Sequence, residues 1–283
     1  MRVMRHLVKP EFDVKKIVED CAKSYRDDDK RQQFNDNSEY IKRMSQEYDT
    51  HAVVGDWVSV KKEKVVNGVI SVADMKSLYE QKFAAHPDVR GKYYDKILSL
   101  AQGGKCPICG IGQVSNLDHY LAKSIYPTYT VTPVNLIPVC RDCNFYKLDK
   151  SITSNDDAPL NPYYDDVDAF EWLCASITAS DDTFVATYFV NPEIEIDAPE
   201  LYTRLCNHFA IYKLAVAYST QATTEIAENL LLWKEKYLEW GEAEFRKYLQ
   251  DCLRSKEKYQ KNTWNTALLR ALIIDIGIFS ILK

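Results

Sequence analysis

No stretch of the 283-residue chain is apolar for long enough to cross a bilayer or to act as a secretory leader. The opening residues, MRVMRHLVKPEFDVKK, lack an apolar core, and the most apolar run, 268–282, is interrupted by Arg270 and Asp275. A soluble, cytoplasmic protein with no membrane partner is the expectation. Internal repeats are also lacking, which excludes solenoids and propellers. With 46% apolar and 27% charged residues the chain is not collagenous, low in complexity or wholly disordered. At roughly 150 residues per domain, its length suggests about two units. Lys and Arg are missing altogether from residues 151–200, which hold 12 Asp or Glu. Elsewhere 36 basic residues face 29 acidic ones, so the net charge of −5 hides a basic remainder. That remainder suits phosphate-bearing partners. The acidic block reads as solvated surface, or as a face that meets a partner or covers the basic surface.

Four segments follow from the patterning: 1–104, mainly helical with a small β-hairpin; 105–150, carrying the chemistry; 151–200, acidic and mixed; and 201–283, helical. The fold class is α+β. Residues 3–48 read as helical, with Asp27-Asp28-Asp29-Lys30-Arg31 as an exposed break, and 51–72 alternate around Asn67-Gly68, a strong hairpin signal. Ser71 is placed to cap a helix running to about Phe83, and 89–101 reads as another, ending before Gly103-Gly104. Residues 159–168 read as a turn-rich exit, 170–177 as a short helix and 183–190 as a strand. Helices are then predicted over 200–219, from 224 to about 259, and from about Asn265.

Eight cysteines divide into two kinds. Cys21, Cys174, Cys206 and Cys252 stand alone and read as buried small hydrophobes, whereas Cys106-Pro107-Ile108-Cys109 and Cys140-Arg141-Asp142-Cys143 are C-x2-C pairs. Each spacer lets two thiolates turn onto one ion, and two such knuckles complete a tetrahedral sulfur shell for Zn²⁺. Four sulfurs leave no open position, so this zinc would be structural. Thirty residues separate Cys109 from Cys140, more than in a plain zinc ribbon, so something is inserted between the knuckles.

The insert contains Leu117-Asp118-His119-Tyr120 and Asn135-Leu136-Ile137-Pro138-Val139, and the second knuckle continues into Asn144-Phe145-Tyr146-Lys147. Order, spacing and residue type across 106–147 resemble the HNH endonuclease family, in the Asp-His/Asn/Asn variant found in the HNH domain of RNA-guided effector nucleases. The resemblance implies a ββα-metal core: a hairpin carrying Asp118 and His119, a loop pinned by Asn135, and a helix bringing Asn144. It departs from the family in having Asn144 where many members have His, and Ala122 where relatives often have Pro.

The chemistry asks for the same residue types. His119, with an imidazole pKa ordinarily near ~6.5, would act as general base on water. Asp118 and Asn144 offer hard oxygen donors suited to Mg²⁺ or Mn²⁺, which would stabilise charge on the phosphate and the leaving oxygen. Asn135 would hydrogen-bond backbone across the loop and hold His119 in place. Lys123 and Lys147 are candidate phosphate contacts. His6, His51, His86 and His208 have no ligand-spaced companions and read as structural.

Asn161-Pro162-Tyr163-Tyr164-Asp165-Asp166, followed by Trp172-Leu173, resembles the stretch after the nuclease motif in bacterial HNH proteins of restriction and phage-defence loci. An antiviral effector or toxin cleaving DNA, with RNA not excluded, is therefore the expectation. Its partners would include a regulatory protein such as an ATPase or a second copy. The C-terminal apolar residues, among them Leu230-Leu231-Leu232-Trp233, Tyr237 and Trp240, suit helix packing or such a docking face. The alternative is a non-catalytic zinc-stabilised protein that binds nucleic acid or scaffolds a complex. Nothing repeats as a basic DNA-reading module, which argues against a homing enzyme.

Overall fold

The structure, a computed structural model, describes residues 6–147, 151–180 and 183–280. Among the described residues it is a mixed helical protein with three small two-stranded antiparallel sheets, and it divides into two units, 4–165 and 166–283. The start of the helical reading at 3–5 and the end of the apolar run at 281–282 lie outside the described residues. Among the described residues no helix is long and apolar enough to cross a membrane.

In the first unit α1 (Val14–Lys23) and α2 (Asp28–Val53) begin at Asp13 and Asp27, whose carboxylates accept from Lys15 N and Lys30 N. The break falls at 24–27 and the charged run only ends it, 28–31 being the start of α2: Asp27 caps, and Asp28 and Asp29 sit in the first turn, where acidic side chains suit the helix dipole. The hairpin is confined to β1 (Val65–Val66) and β2 (Ile70–Ser71), because α2 consumes the first three residues of the alternating stretch. Its turn is Asn67-Gly68, with φ of 51° and 72°, the left-handed pair that two-residue hairpins need. Ser71 Oγ accepts from Asp74 N to start α3 (Val72–Ser77), which widens into a π-turn over Leu78–Phe83. The next predicted helix is built in pieces, α4 (Pro87–Val89), a π-turn at Arg90–Tyr94 and α5 (Asp95–Leu98).

Strands β3 (Asn116–His119) and β4 (Leu136–Val139) then pair antiparallel, with Leu117 opposite Pro138 and Asp118 opposite Ile137, and helix α6 (Arg141–Lys147) follows. Leu117, Val131 and Leu136 belong to the same buried core as Ile17 and Val18 of α1, Phe34 and Ile41 of α2, and Tyr79, Phe83 and Tyr94. The N-terminal helices and the strand pair therefore share one hydrophobic interior, whose burial supplies the main favourable term.

The second unit is built on the hairpin β5 (Leu173–Ser180) and β6 (Thr183–Val190), in register from Leu173 opposite Val190 to Ser180 opposite Thr183. The expected helix at 170–177 is not formed, and 173–177 are strand: β6 alternates exposed and buried residues along its length and pairs antiparallel with this preceding segment. Asn262, fully buried, fixes the entry to β5 by accepting from Trp172 N at 2.9 Å and donating to Phe170 O at 2.8 Å. Helices α7 (Ile194–Asp197), α8 (Pro199–Ile211), α9 (Leu214–Glu257) and α10 (Trp264–Ile274) complete it. The predicted 200–219 helix stops early, at Lys213 with φ of 50°, and α9 runs through 220–223 to break at Gly241 instead. Phe279 packs against Phe184, Phe245 and Tyr237 at ring separations of 5.3, 5.1 and 5.9 Å.

Candidate metal centre and adjoining cleft

Two knuckles bring Cys106, Cys109, Cys140 and Cys143 together, all buried, with their four sulfurs within 4.8 Å of one another. Cys109 Sγ and Cys140 Sγ are 3.8 Å apart, and a tetrahedron with Zn–S bonds of about 2.3 Å has edges of about 3.8 Å. The donor set thus fits a zinc ion. The first knuckle is closed by Gly110 N donating to Cys106 O and Cys106 N donating to Gly112 O, both at 2.8 Å, while Gly112 N points at Cys109 Sγ at 3.4 Å. Gly112 is needed for its size. A Cβ there would lie 2.6 Å from Cys140 Cβ and 2.7 Å from Cys140 Sγ. Of the remaining cysteines only Cys21 is buried; Cys174, Cys206 and Cys252 are half-buried, because their helix and strand faces reach the surface.

The strand pair hangs from this centre. Tyr120 N donates to Asn135 O at 2.8 Å, so the alternation of an antiparallel ladder leaves the backbone groups of Leu117, His119, Leu136 and Pro138 pointing outward. Pro138 is tolerated there because no ladder bond needs its missing N–H. Side chains cap four of the other outward groups. Tyr94 OH accepts from Leu117 N and Tyr79 OH donates to Leu117 O, each at 3.2 Å; Tyr163 OH donates to Leu136 O at 2.9 Å; and Lys147 Nζ donates to His119 O.

Asn135, fully buried, stitches the loop between the strands. Its Oδ1 accepts from Leu121 N at 2.7 Å and from Tyr48 OH at 3.3 Å, and its Nδ2 donates to Leu121 O and Tyr129 O at 3.2 and 3.1 Å. The loop so held delivers Thr130 O to within 2.8 Å of His119 Nε2. A carbonyl only accepts, so Nε2 carries the hydrogen and Nδ1 keeps its lone pair. Burial lowers the imidazole pKa to about 3, with Lys123 and Lys147 pushing the same way against the Thr130 hydrogen bond. The ring is therefore neutral at pH 7, and it does not keep the ordinary value near ~6.5 assumed from sequence.

Asp118, His119, Asn144, Lys123 and Lys147 line one cavity of about 300 Å³, together with Tyr79, Leu117 and Ala122. Asn144, on α6, is exposed at its mouth. The two lysines sit on carboxylates: Lys147 Nζ is 2.9 Å from Asp118 Oδ2, and Lys123 Nζ is 2.7 Å from Glu80 Oε1 and over the ring of Tyr79. Three contributors are invisible in the motif. Tyr79 lies 27 residues before its first cysteine, Thr130 acts through its backbone, and Tyr48 supports Asn135 from α2.

Comparison with known protein families finds no match. No solved structure matches either. Over 186 residues the chain is 31% identical to Protein ea31 of Escherichia phage lambda, a match that covers 63% of this chain and 56% of that protein. The chain thus spans little more than half the length of the curated relative it matches.

Proposed function

We propose that this protein is a metal-dependent endonuclease of HNH type that hydrolyses phosphodiester bonds in DNA. One observation carries the reading: a buried imidazole, its Nε2 2.8 Å from the Thr130 carbonyl, lines the same cavity as its strand neighbour Asp118 on β3 and Asn144 on α6, beside four clustered cysteines. The order strand, strand, helix is that of a ββα-metal core.

In this reading the cysteines hold a structural Zn²⁺ that fixes where β3 and α6 meet, contributing folding free energy and no chemistry. Asp118 and Asn144 would hold Mg²⁺ or Mn²⁺, both donors being hard oxygens. Bound there, such an ion supplies positive charge to the phosphate and the departing oxygen. His119 Nδ1 takes a proton from water as the water oxygen bonds to phosphorus; the P–O3′ bond breaks and the 3′-oxygen is protonated from solvent. Asn135 keeps the loop, and with it Thr130 O, in place. Lys147 and Lys123, released from their carboxylates, would meet flanking phosphates.

Supercoiled plasmid incubated with the protein and Mg²⁺ tests this. Nicking by the wild type, lost in His119→Ala and kept in a surface variant such as Lys247→Ala, is expected; equal nicking by His119→Ala overturns it. Mg²⁺ and Mn²⁺ should support cleavage and Zn²⁺ should not.

A relative in a phage genome suits a role in phage biology, and an effector of anti-phage defence or a toxin, controlled by a partner such as an ATPase, is the setting we favour. A second reading rests on the Lys147–Asp118 pair. With its carboxylate neutralised and its histidine buried, the cleft would be inert and the protein a zinc-stabilised scaffold or nucleic-acid binder. Absence of cleavage on any DNA or RNA, with nucleic-acid binding unchanged in His119→Ala, would favour it.

A further inference from the structure

The wall of the cleft opposite the motif comes from the N-terminal helices. Tyr79 lines the cavity, is 7% exposed, and meets the His119 ring edge to face, with centroids 4.4 Å apart and planes at 67°. It is held at its hydroxyl and at its ring. Its hydroxyl donates to Leu117 O at 3.2 Å, its ring stacks on Phe83 at 5.6 Å and 21°, and Phe83 stacks in turn on Tyr93 at 6.4 Å and 12°. The backbone explains its placement. Tyr79 O accepts from Ala84 N at 2.7 Å, the five-residue bond of the π-turn, and that wide turn buries Leu78, Tyr79 and Phe83 together. Single π-turns of this kind recur at functional sites.

The bond from Nε2 to Thr130 O fixes one point of the imidazole and leaves the ring free to pivot about it. A flip about Cβ–Cγ would turn a ring carbon toward the carbonyl and move Nδ1 to the other face. An aromatic edge against the ring removes that freedom at a cost already met by the packing of Tyr79 itself. We infer that Tyr79 is a positioning residue that locks the plane of His119, so that Nδ1 faces the cavity, and that the N-terminal region thereby completes the site. The kinetic side of this inference rests on the nuclease reading; the state of the imidazole does not.

The test uses the full-length protein with Tyr79→Phe, Tyr79→Leu and Tyr79→Met, the last two filling the space without a ring. Nitrogen-15 spectra of the His119 side chain should show one neutral tautomer, protonated on Nε2, in the wild type and in Tyr79→Phe, and averaged nitrogens in Leu and Met. In cleavage assays Tyr79→Phe should keep kcat within about threefold, while Leu and Met lose about 10- to 100-fold in kcat at unchanged KM, the scale of a small misplacement of a catalytic group. An unaltered tautomer and kcat in a folded Leu or Met variant would overturn the inference. So would a Tyr79→Phe variant that shows averaged nitrogens or loses about 10-fold or more in kcat against wild type, which would assign the role to the hydroxyl on Leu117; that comparison needs neither the Leu nor the Met variant to fold. If the wild type cleaves nothing, the nuclease reading fails and the spectra alone decide whether Tyr79 orients His119.

Discussion

The ammonium of Lys147 stands 2.9 Å from Asp118 Oδ2, with only 12% of the lysine side chain exposed and 19% of the aspartate's. A divalent cation at Asp118 has to displace that ammonium. Lys147→Met should therefore tighten Mn²⁺ binding, read by electron paramagnetic resonance titration, by about tenfold, since charged hydrogen bonds of this kind contribute about 1.5–3 kcal/mol. Unchanged or weaker Mn²⁺ binding would show that the pair does not compete with the ion. Asp118→Asn should abolish the binding.

Asn135 should matter to stability more than any other polar residue of the loop. Asn135→Ala strands Leu121 N–H and Tyr129 C=O in a buried place, and each orphaned group costs about 1–3 kcal/mol. Urea denaturation should show a loss of about 3 kcal/mol, whereas Tyr48→Phe, which removes a single 3.3 Å bond, should lose less than about 1 kcal/mol.

Zinc should be present at one equivalent per chain by elemental analysis, and removing it with a chelator should melt the unit at 4–165 in a protein that was folded before. Gly112→Ala probes the same centre without touching a ligand. Its Cβ would press on Cys140, and a loss of about 1–3 kcal/mol with weakened zinc retention is expected.

Acid should destabilise the protein through His119. Folding depresses its pKa to about 3 from an unfolded value near ~6.5, so between those limits the unfolded chain binds a proton that the folded chain does not. Stability from this group is complete above ~6.5 and falls as the pH drops toward about 3, by up to about 1.4 kcal/mol per pH unit. His119→Gln, measured without added divalent metal, should lower the slope of unfolding free energy against pH between 4 and 6 by up to one proton; an identical slope would mean that the ring is not buried neutral.

Patterns with a short physical range were legible in the sequence. The two knuckles, the Asn67-Gly68 turn, the Ser71 cap and strand β6 each depend on residues within a few positions, and each is found where the spacing places it. Of the misread segments one depends on a partner elsewhere: residues 173–177 join a strand because β6 pairs with them. The start of α2 is local, since Asp27 caps Lys30 N, and the charge of 27–31 masked a cap that the residue types allowed. In the cleft, side-chain types marked Asp118, His119, Asn135 and Asn144, whereas the Thr130 carbonyl, the Tyr79 wall and the lysine on Asp118 arise only once loop and helices are folded together.

The most direct measurement is the cleavage rate of end-labelled duplex DNA, single-stranded DNA and RNA, with Mg²⁺, by wild type and His119→Ala. At least one substrate should be cut by the wild type, and the variant should be slower by about 10²-fold or more, the scale of a lost general base. Cleavage that persists at the wild-type rate in His119→Ala would contradict the account.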